Sequence, residues 1–268
     1  MKLLNGTEIA GFIKERHARQ VRALRHDKLF PKLAIVQTKD DPVINTYVRL
    51  KKEYGADIGV EVEDHMVNQS EIPKILNMLS IDETVHGIIV QLPLEDDSQT
   101  DEILQMVDPK KDVDALNPET VFEPATPMAI LWLLNGYNIE LKGKKILLIG
   151  RGKLVGGPLE RIMKDSGLDV EVIDRELPDL KQRTLQADVI VTATGSPAIL
   201  YPDMIKTGAV VVDAGVASEE GKTVGDLAPE VYERDDLTLT PKKGGVGPLT
   251  VCALFENVIR AAENAAKN

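Results

Sequence analysis

Hydrophobic and polar positions change period repeatedly along the chain. After Thr7, apolar residues fall at helical spacing, and the apolar run at 32–38 is typical of a buried strand. The alternation continues with a helix at about 43–57, a strand at 60–67, a helix at 70–79 and a strand at 87–92. Because strands that alternate with helices usually pair in parallel, this part of the chain predicts an α/β domain.

A second alternation begins after a polar stretch at 108–119. Its strands are predicted at 144–150, 169–174, 187–193 and 209–215. The final stretch, at about 248–267, is an amphipathic helix that follows this second alternation. We therefore predict an α/β chain of two domains with a cleft between them, one formed by residues 1–118 and 247–268 and the other by residues 119–246.

Composition limits the partners and the chemistry. The 268 residues include 32 basic and 43 acidic side chains, which gives a net charge of −11. This charge argues against non-specific binding of nucleic acid or anionic lipid. With one cysteine, Cys252, the chain has neither a disulfide framework nor a cysteine-rich zinc site, and we predict no metal. The sequence has no apolar run typical of a signal peptide or membrane span, so a cytoplasmic protein is expected.

A glycine-rich turn follows the first strand of the second alternation. The segment KKILLIGRGKLVGGP places Gly150, Gly152 and Gly156 between a buried strand and a helix. Glycines in this context allow a tight turn and the close approach of a pyrophosphate to helix N–H groups. The spacing departs from the usual G-x-G-x-x-G, and glycine also serves ordinary tight turns. The strand and helix around the turn, and Asp174 at the end of the next strand, favour a Rossmann-like, doubly wound dinucleotide-binding domain.

Two further glycine-containing loops stand where ligands bind in such folds. ATGSP at 193–197, with Thr194 and Gly195, follows a strand of the second domain, and GGVGP at 244–248 precedes the last helix. An ordinary turn explains either loop about as well.

In the first domain, Tyr47 and Lys51 lie four residues apart on a predicted helix. They therefore share a face, and a lysine in a desolvated cleft can exchange protons near neutral pH. From this pair alone, a solvated lysine beside a core tyrosine is the better interpretation. Short-chain dehydrogenases also carry Tyr-x-x-x-Lys, but there the pair follows the glycine-rich turn, whereas here it precedes that turn.

Polar residues also mark a strand end and a loop of the first domain. Gln91 ends the strand GIIVQL, where α/β sheets place ligand-facing groups, although an amide there can simply cap the strand. In KKDVDAL, Asp112 and Asp114 alternate around Val113, so one carboxylate can face a cleft while the other holds the loop.

Taken in order, these segments resemble the bifunctional methylenetetrahydrofolate dehydrogenase/cyclohydrolase family. The resemblance rests on YVRLK, VQLPL, KDVDAL, PATP, GRGKLVGGP, ATGSP and GGVGPLT, which extend over nearly the whole chain. It implies oxidation of 5,10-methylenetetrahydrofolate with NAD(P), hydrolysis of the methenyl product to 10-formyltetrahydrofolate, and a folate-binding first domain. It also implies a homodimer and a role in one-carbon metabolism and purine biosynthesis.

The resemblance assigns roles to individual residues. It makes Lys51 the general acid/base, has Gln91 position and tune it, packs Tyr47 on the aminobenzoyl ring and has Asp114 bind the pterin. Other residues are implied to line the folate cleft, namely Gly245, Val246 and Pro248. The cofactor residues are predicted to be Gly150, Arg151, Gly152, Val155, Gly156, Asp174, Arg175, Thr194 and Gly195.

The chain departs from the family pattern at several positions. Gly152 replaces a usual serine, Ile44 stands where serine is common, and Lys242-Lys243 replace a usual Val-Pro. Two usual glycines are replaced by Ala115 and Ala129. The paired lysines can attract an anionic substrate tail or simply be solvated.

The resemblance and the residues disagree on cofactor choice. Bacterial members of the family usually take NADP, and Arg151 with Arg175 can pair with a 2′-phosphate. A carboxylate at Asp174 instead favours the ribose hydroxyls of NAD and repels that phosphate. We predict a preference for NAD.

Two other functions stay open at this point. A different two-domain dehydrogenase, acting for example on a hydroxy acid, predicts turnover without folate. A catalytically silent dinucleotide-binding module predicts nicotinamide binding without folate-dependent turnover, but the presence of Tyr47, Lys51, Gln91 and Asp114 argues against it.

Overall fold

The structure, a computed structural model, describes residues 1–173, 179–215, 217–219 and 222–267. The helices of this part of the chain are α1 (Gly6–His26), α2 (Pro42–Ile58), α3 (Ile72–Ile81), α4 (Thr100–Gln105), α5 (Ala125–Gly136), α6 (Gly156–Asp165), α7 (Leu180–Thr184) and α8 (Val246–Ala265). The strands are β1 (Lys2–Leu3), β2 (Lys32–Gln37), β3 (Glu61–Met66), β4 (Gly87–Val90), β5 (Ile146–Ile149), β6 (Val170–Ile173), β7 (Val189–Thr192), β8 (Val210–Asp213), β9 (Ala217–Glu219), β10 (Lys222–Val224) and β11 (Thr238–Leu239).

The chain forms two compact units. We call residues 11–125 and 251–268 the small-sheet unit, and residues 1–10 and 126–250 the large-sheet unit. The predicted α/β class, with parallel strands in both halves, is confirmed.

These bounds differ from the predicted domains mainly at the N-terminus, where the first ten residues join the large-sheet unit. The reason is a long-range pairing that local periodicity does not report. Strand β1 pairs in parallel with β11, which brings residues 2–3 and 238–239 together in one sheet.

The small-sheet unit is built on a three-stranded parallel sheet in the order β3-β2-β4. Strand β4 is buried along its whole length, as expected of a short, continuous apolar strand. Helix α2 is capped by Asp41, whose carboxylate accepts from the N–H groups of Val43 and Ile44 at 2.8 and 3.1 Å. A Cβ on Gly55 would lie 2.6 Å from the side chain of Val62, so glycine is required for α2 to pack this closely on β3.

The large-sheet unit contains a six-stranded sheet in the order β1-β11-β8-β7-β5-β6. All of its strand pairs are parallel, so their carboxyl ends meet at one edge. Strands β5 and β7 are buried throughout, and they place the loops that start at Gly150 and Ala193 side by side at that edge. This is where open α/β sheets bind ligands.

Candidate active site

Lys51 and Gln91 meet in the small-sheet unit. Helix α2 carries Lys51, and Gln91 is the first residue after β4. The Nζ of Lys51 donates to the Oε1 of Gln91 at 2.6 Å. The other end of the amide is fixed, since its Nε2 donates to the carbonyl of Leu92 at 3.0 Å. Gln91 therefore presents a fixed acceptor to the lysine.

The loop that contains Asp112 and Asp114 lies along β4. The N–H of Ile88 donates to the carbonyl of Lys111 at 2.7 Å, and Ile88 and Asp112 form an isolated parallel bridge. Asp112 is 3% exposed and its carboxylate accepts from the N–H of Asn117 at 2.7 Å, so it stabilises the loop. Burial, together with the nearby charge of Asp114, raises the pKa of Asp112 to about 6.

Asp114 lies on the lysine side of this loop. It is half-buried, and it is close enough to Lys51 for each charge to affect the other. Burial raises the pKa of Asp114, and the charge of Lys51 opposes that rise. Burial likewise lowers the pKa of Lys51, and Asp114 opposes that fall. Asp112 thus holds the loop, and Asp114 lies near enough to the amine of Lys51 to interact with its charge.

Tyr47 and Ala115 lie at the margins of this cluster. Tyr47 is one helical turn before Lys51 on α2 and is 36% exposed, which leaves ring surface for a flat ligand. Ala115 has a φ of 59°, in the left-handed region that favours glycine. The backbone of this loop therefore keeps the conformation that suits the glycine usual in the family, despite the alanine.

In the large-sheet unit, the glycine-rich turn between β5 and α6 is sterically tight. A Cβ on Gly156 would lie 2.0 Å from the carbonyl oxygen of Gly150, and Gly150 itself has a φ of 99°. Val155 is the residue before α6, and its carbonyl accepts from the N–H of Leu159 at 2.9 Å. The turn leads directly into a ten-residue helix, so the positive end of the helix dipole lies at the turn. This geometry fits a pyrophosphate.

Arg151 is engaged by a carboxylate that the sequence reasoning missed. Its Nε and Nη2 donate to the two oxygens of Glu160 at 2.8 and 2.9 Å, and the Nζ of Lys164 donates to the same carboxylate at 2.7 Å. Glu160 is 7% exposed. The hydrogen bond from Lys164 and the contact with Arg151 keep its pKa below the usual range.

A Cβ on Gly152 would have no neighbour within 4 Å, so a serine would fit there.

The ATGSP loop is held by a second residue that was missed. The N–H groups of Thr194 and Ser196 donate to the two carboxylate oxygens of Asp226 at 2.8 and 3.1 Å. Gly195, between them, has a φ of 63°. Asp226 is fully buried, and a Cβ on Gly215 would lie 1.9 Å from its Oδ1. The sequence feature that could have identified Asp226 is its position in VGDLAP, between a glycine and a short apolar run.

Asp213, at the end of β8, extends this arrangement. Its carboxylate accepts from the N–H groups of Gly215, Asp226 and Leu227 at 3.0–3.2 Å. The buried carboxylate of Asp226 and the half-buried carboxylate of Asp213 thus fix the backbone beside the glycine-rich turn. Neither faces a partner cation in these contacts, which indicates a scaffold rather than a catalytic pair.

The remaining predicted residues belong to two groups. Gly245 and Val246 are buried and Pro248 is half-buried, at the entry to α8 in the large-sheet unit. Asp174 and Arg175 lie outside the described residues, so the structure does not test the carboxylate argument for NAD. Within the described ranges, no group of three or more His, Cys, Asp or Glu side chains is arranged to hold a metal ion. The helices described there are all too short or too polar to span a membrane.

Comparison with known proteins connects both units to one family. The family model described as "Tetrahydrofolate dehydrogenase/cyclohydrolase, catalytic domain" matches residues 4–114. The model described as "Tetrahydrofolate dehydrogenase/cyclohydrolase, NAD(P)-binding domain" matches residues 124–266. The bifunctional protein FolD of Nautilia profundicola is 32% identical over 100% of this chain and 99% of its own length.

Two solved structures are similar over nearly the full length. The FolD methylenetetrahydrofolate dehydrogenase/cyclohydrolase of Campylobacter jejuni has a TM-score of 0.93 and 36% identity, covering 98% of this chain and 99% of that one. The Trypanosoma brucei enzyme, solved with NADP and an inhibitor, has a TM-score of 0.93 and 27% identity, with coverage of 99% and 98%. Since both family models and full-length relatives agree, the chain belongs to the tetrahydrofolate dehydrogenase/cyclohydrolase family.

Proposed function

We propose that this chain oxidises 5,10-methylenetetrahydrofolate to the 5,10-methenyl form with NAD(P) and hydrolyses that product to 10-formyltetrahydrofolate. The observation that carries the proposal is the half-buried amine of Lys51, held 2.6 Å from the Gln91 amide and beside Asp114. Burial lowers the pKa of this amine, so the amine gives up its proton more readily than an exposed lysine does. That is the property the hydrolytic half of the reaction needs.

In the hydrolysis, Lys51 handles the protons. As the free amine, it accepts a proton from the water that attacks the methenyl carbon. The bond from that carbon to N5 then breaks, N5 takes up a proton and the second proton is released to solvent, so atoms and charge balance. Gln91 holds the amine in place, and Asp114 faces it as a hydrogen-bonding partner for the pterin.

Binding and orientation are assigned to the other predicted residues. Tyr47 offers its exposed ring to the aminobenzoyl group. Gly245, Val246 and Pro248 are assigned to the folate as well. A dinucleotide bound at the glycine turn would supply the acceptor for a hydride from the bridging methylene. The glycine turn at Gly150 and Gly156 and the loop at Thr194 and Gly195 hold the dinucleotide.

We further propose that NAD is preferred over NADP. Arg151 already shares a bidentate contact with Glu160, and Gly152 offers no hydroxyl to a phosphate. The bound NADP of the Trypanosoma brucei relative is a property of that protein. Cytoplasmic location stays a prediction from the sequence, and a homodimer and a link to purine biosynthesis stay predictions from the resemblance.

Spectrophotometric assays test the proposal. Purified protein is given 5,10-methylenetetrahydrofolate with NAD or NADP, and loss of the methenyl absorbance is followed separately. We expect both activities, with a higher kcat/KM for NAD. Binding of nicotinamide dinucleotide with neither activity would instead identify a silent module.

A further inference from the structure

Glu160 is a buried carboxylate that contacts the side chain of Arg151, a predicted cofactor residue. It lies in the second turn of α6, directly behind the glycine-rich turn that carries Arg151. Its two oxygens take the Nε and Nη2 edge of the Arg151 guanidinium. That edge is a favoured one for bidentate binding of phosphate or carboxylate.

Arg151 is 68% exposed at its side chain, whereas Glu160 is 10% exposed. The guanidinium therefore reaches solvent beside the turn while the carboxylate stays inside. If the guanidinium swings toward a ligand phosphate, the buried carboxylate of Glu160 loses that contact and keeps the hydrogen bond from Lys164. Leaving a buried charge with fewer partners is unfavourable, so Glu160 opposes that movement.

We infer that Glu160 is a specificity-determining residue that withholds Arg151 from the 2′-phosphate of NADP and so favours NAD. The inference rests on the proposed dinucleotide site and adds a residue to it. Glu160 acts through Arg151 and does not touch the reacting atoms, so it is a positioning residue. The inference does not depend on Asp174, which lies outside the described residues.

The first test compares ligands that differ only in the relevant phosphate. Calorimetry measures the Kd of adenosine 2′,5′-bisphosphate and of 5′-AMP for wild type and for Glu160→Gln, which keeps the shape and removes the charge. We expect the ratio of the two Kd values to shift by about tenfold toward the bisphosphate, the effect of roughly one charge-assisted hydrogen bond. The NADP to NAD ratio of kcat/KM should shift in the same direction.

A matched control removes the same charge elsewhere in the unit. Glu171, on β6, pairs with Arg183 at the surface, and Glu171→Gln should leave the ratio of Kd values unchanged. The double variant Arg151→Met with Glu160→Gln should show no gain over Arg151→Met alone. If Glu160→Gln melts too low for binding work, Glu160→Ala gives the same readout, because alanine is a good helix former.

Three results would overturn the inference. An unchanged or lower affinity for the bisphosphate in Glu160→Gln would mean that Glu160 orients Arg151 for the phosphate instead. If Glu160→Gln raised the affinity for the bisphosphate equally in the Arg151→Met variant, the carboxylate would act by direct electrostatic repulsion of the phosphate and not through Arg151. If neither adenosine ligand bound, the proposed nucleotide site would be wrong. Failure of the proposed function looks different, because binding and its dependence on Glu160 would persist without folate turnover.

Discussion

The candidate sites of the two units are formed by different kinds of chemical groups. In the small-sheet unit the site consists of side chains that can titrate: Lys51 and Asp114 face each other, and burial moves the pKa of each toward neutrality. In the large-sheet unit it consists of backbone, with Gly150 and Gly156 clearing space and Asp226 holding the neighbouring loop by its N–H groups. Proton transfer needs groups whose charge can change, whereas nucleotide binding needs fixed dipoles and close approach.

The largest effect expected from this contrast is at Lys51. Lys51→Met keeps much of the aliphatic stem and removes the amine, so hydrolysis of the methenyl compound should fall by about 10²–10⁴-fold while the fold survives. Stopped-flow or steady-state absorbance measures the rate, and thermal melting checks the fold. Lys52→Met is the matched control, because Lys52 is exposed and pairs with Asp64. Near-normal hydrolysis in Lys51→Met would contradict the proton-handling role.

A second prediction concerns the acid that holds the loop. Burial raises the folded-state pKa of Asp112 from the ordinary 3.8 to about 6, so the folded protein binds this proton more tightly than the unfolded chain does. Between pH 4 and 6 this group therefore reduces the free energy of unfolding as pH rises, by at most about 3 kcal/mol.

Asp112→Asn removes that dependence while keeping an acceptor for the N–H of Asn117. We expect the wild type to lose stability relative to Asp112→Asn as pH rises from 4 to 6, measured by urea unfolding at each pH. A constant difference between the two proteins over this range would show that Asp112 does not titrate there.

The third prediction addresses the backbone site. Gly156→Ala would place a methyl group 2.0 Å from the carbonyl oxygen of Gly150, so the turn must shift. We expect a loss of about 1–3 kcal/mol in stability and weaker binding of NAD. Gly152→Ala is the comparison, since a Cβ there has no neighbour within 4 Å, and its melting temperature should stay near that of wild type. Equal melting of the two variants would argue against the tight turn.

The smallest effect is expected at the two alanines that replace usual glycines. Ala115 has a φ of 59°, so Ala115→Gly should relieve strain and stabilise the protein by less than about 1 kcal/mol after the unfolded-state entropy is counted. Ala129 is fully buried within α5, where Ala129→Gly should cost about 1 kcal/mol. Chemical denaturation of both variants gives the signs, and a destabilised Ala115→Gly would refute the strain argument.

Much of the fold followed from periodicity. The helix predicted at 43–57 is α2 at Pro42–Ile58, and the final amphipathic stretch is α8. These helices are predictable because their signals, an apolar face or a capping aspartate, lie within or next to the same segment of sequence. The joining of β1 to β11 was not predictable in this way, since the two strands lie far apart in sequence and are very short.

Local patterns in the sequence were enough to predict the succession of strands and helices along the chain, the position of the glycine turn, and the side chains available for chemistry: Lys51, Gln91 and the two aspartates of KKDVDAL. Long-range packing was needed to show that Asp112 holds the loop while Asp114 lies near the amine, and that Arg151 is paired with Glu160. The physical reason is that burial and long-range contacts set a group's charge and orientation, and neither is contained in the spacing of residues along the chain.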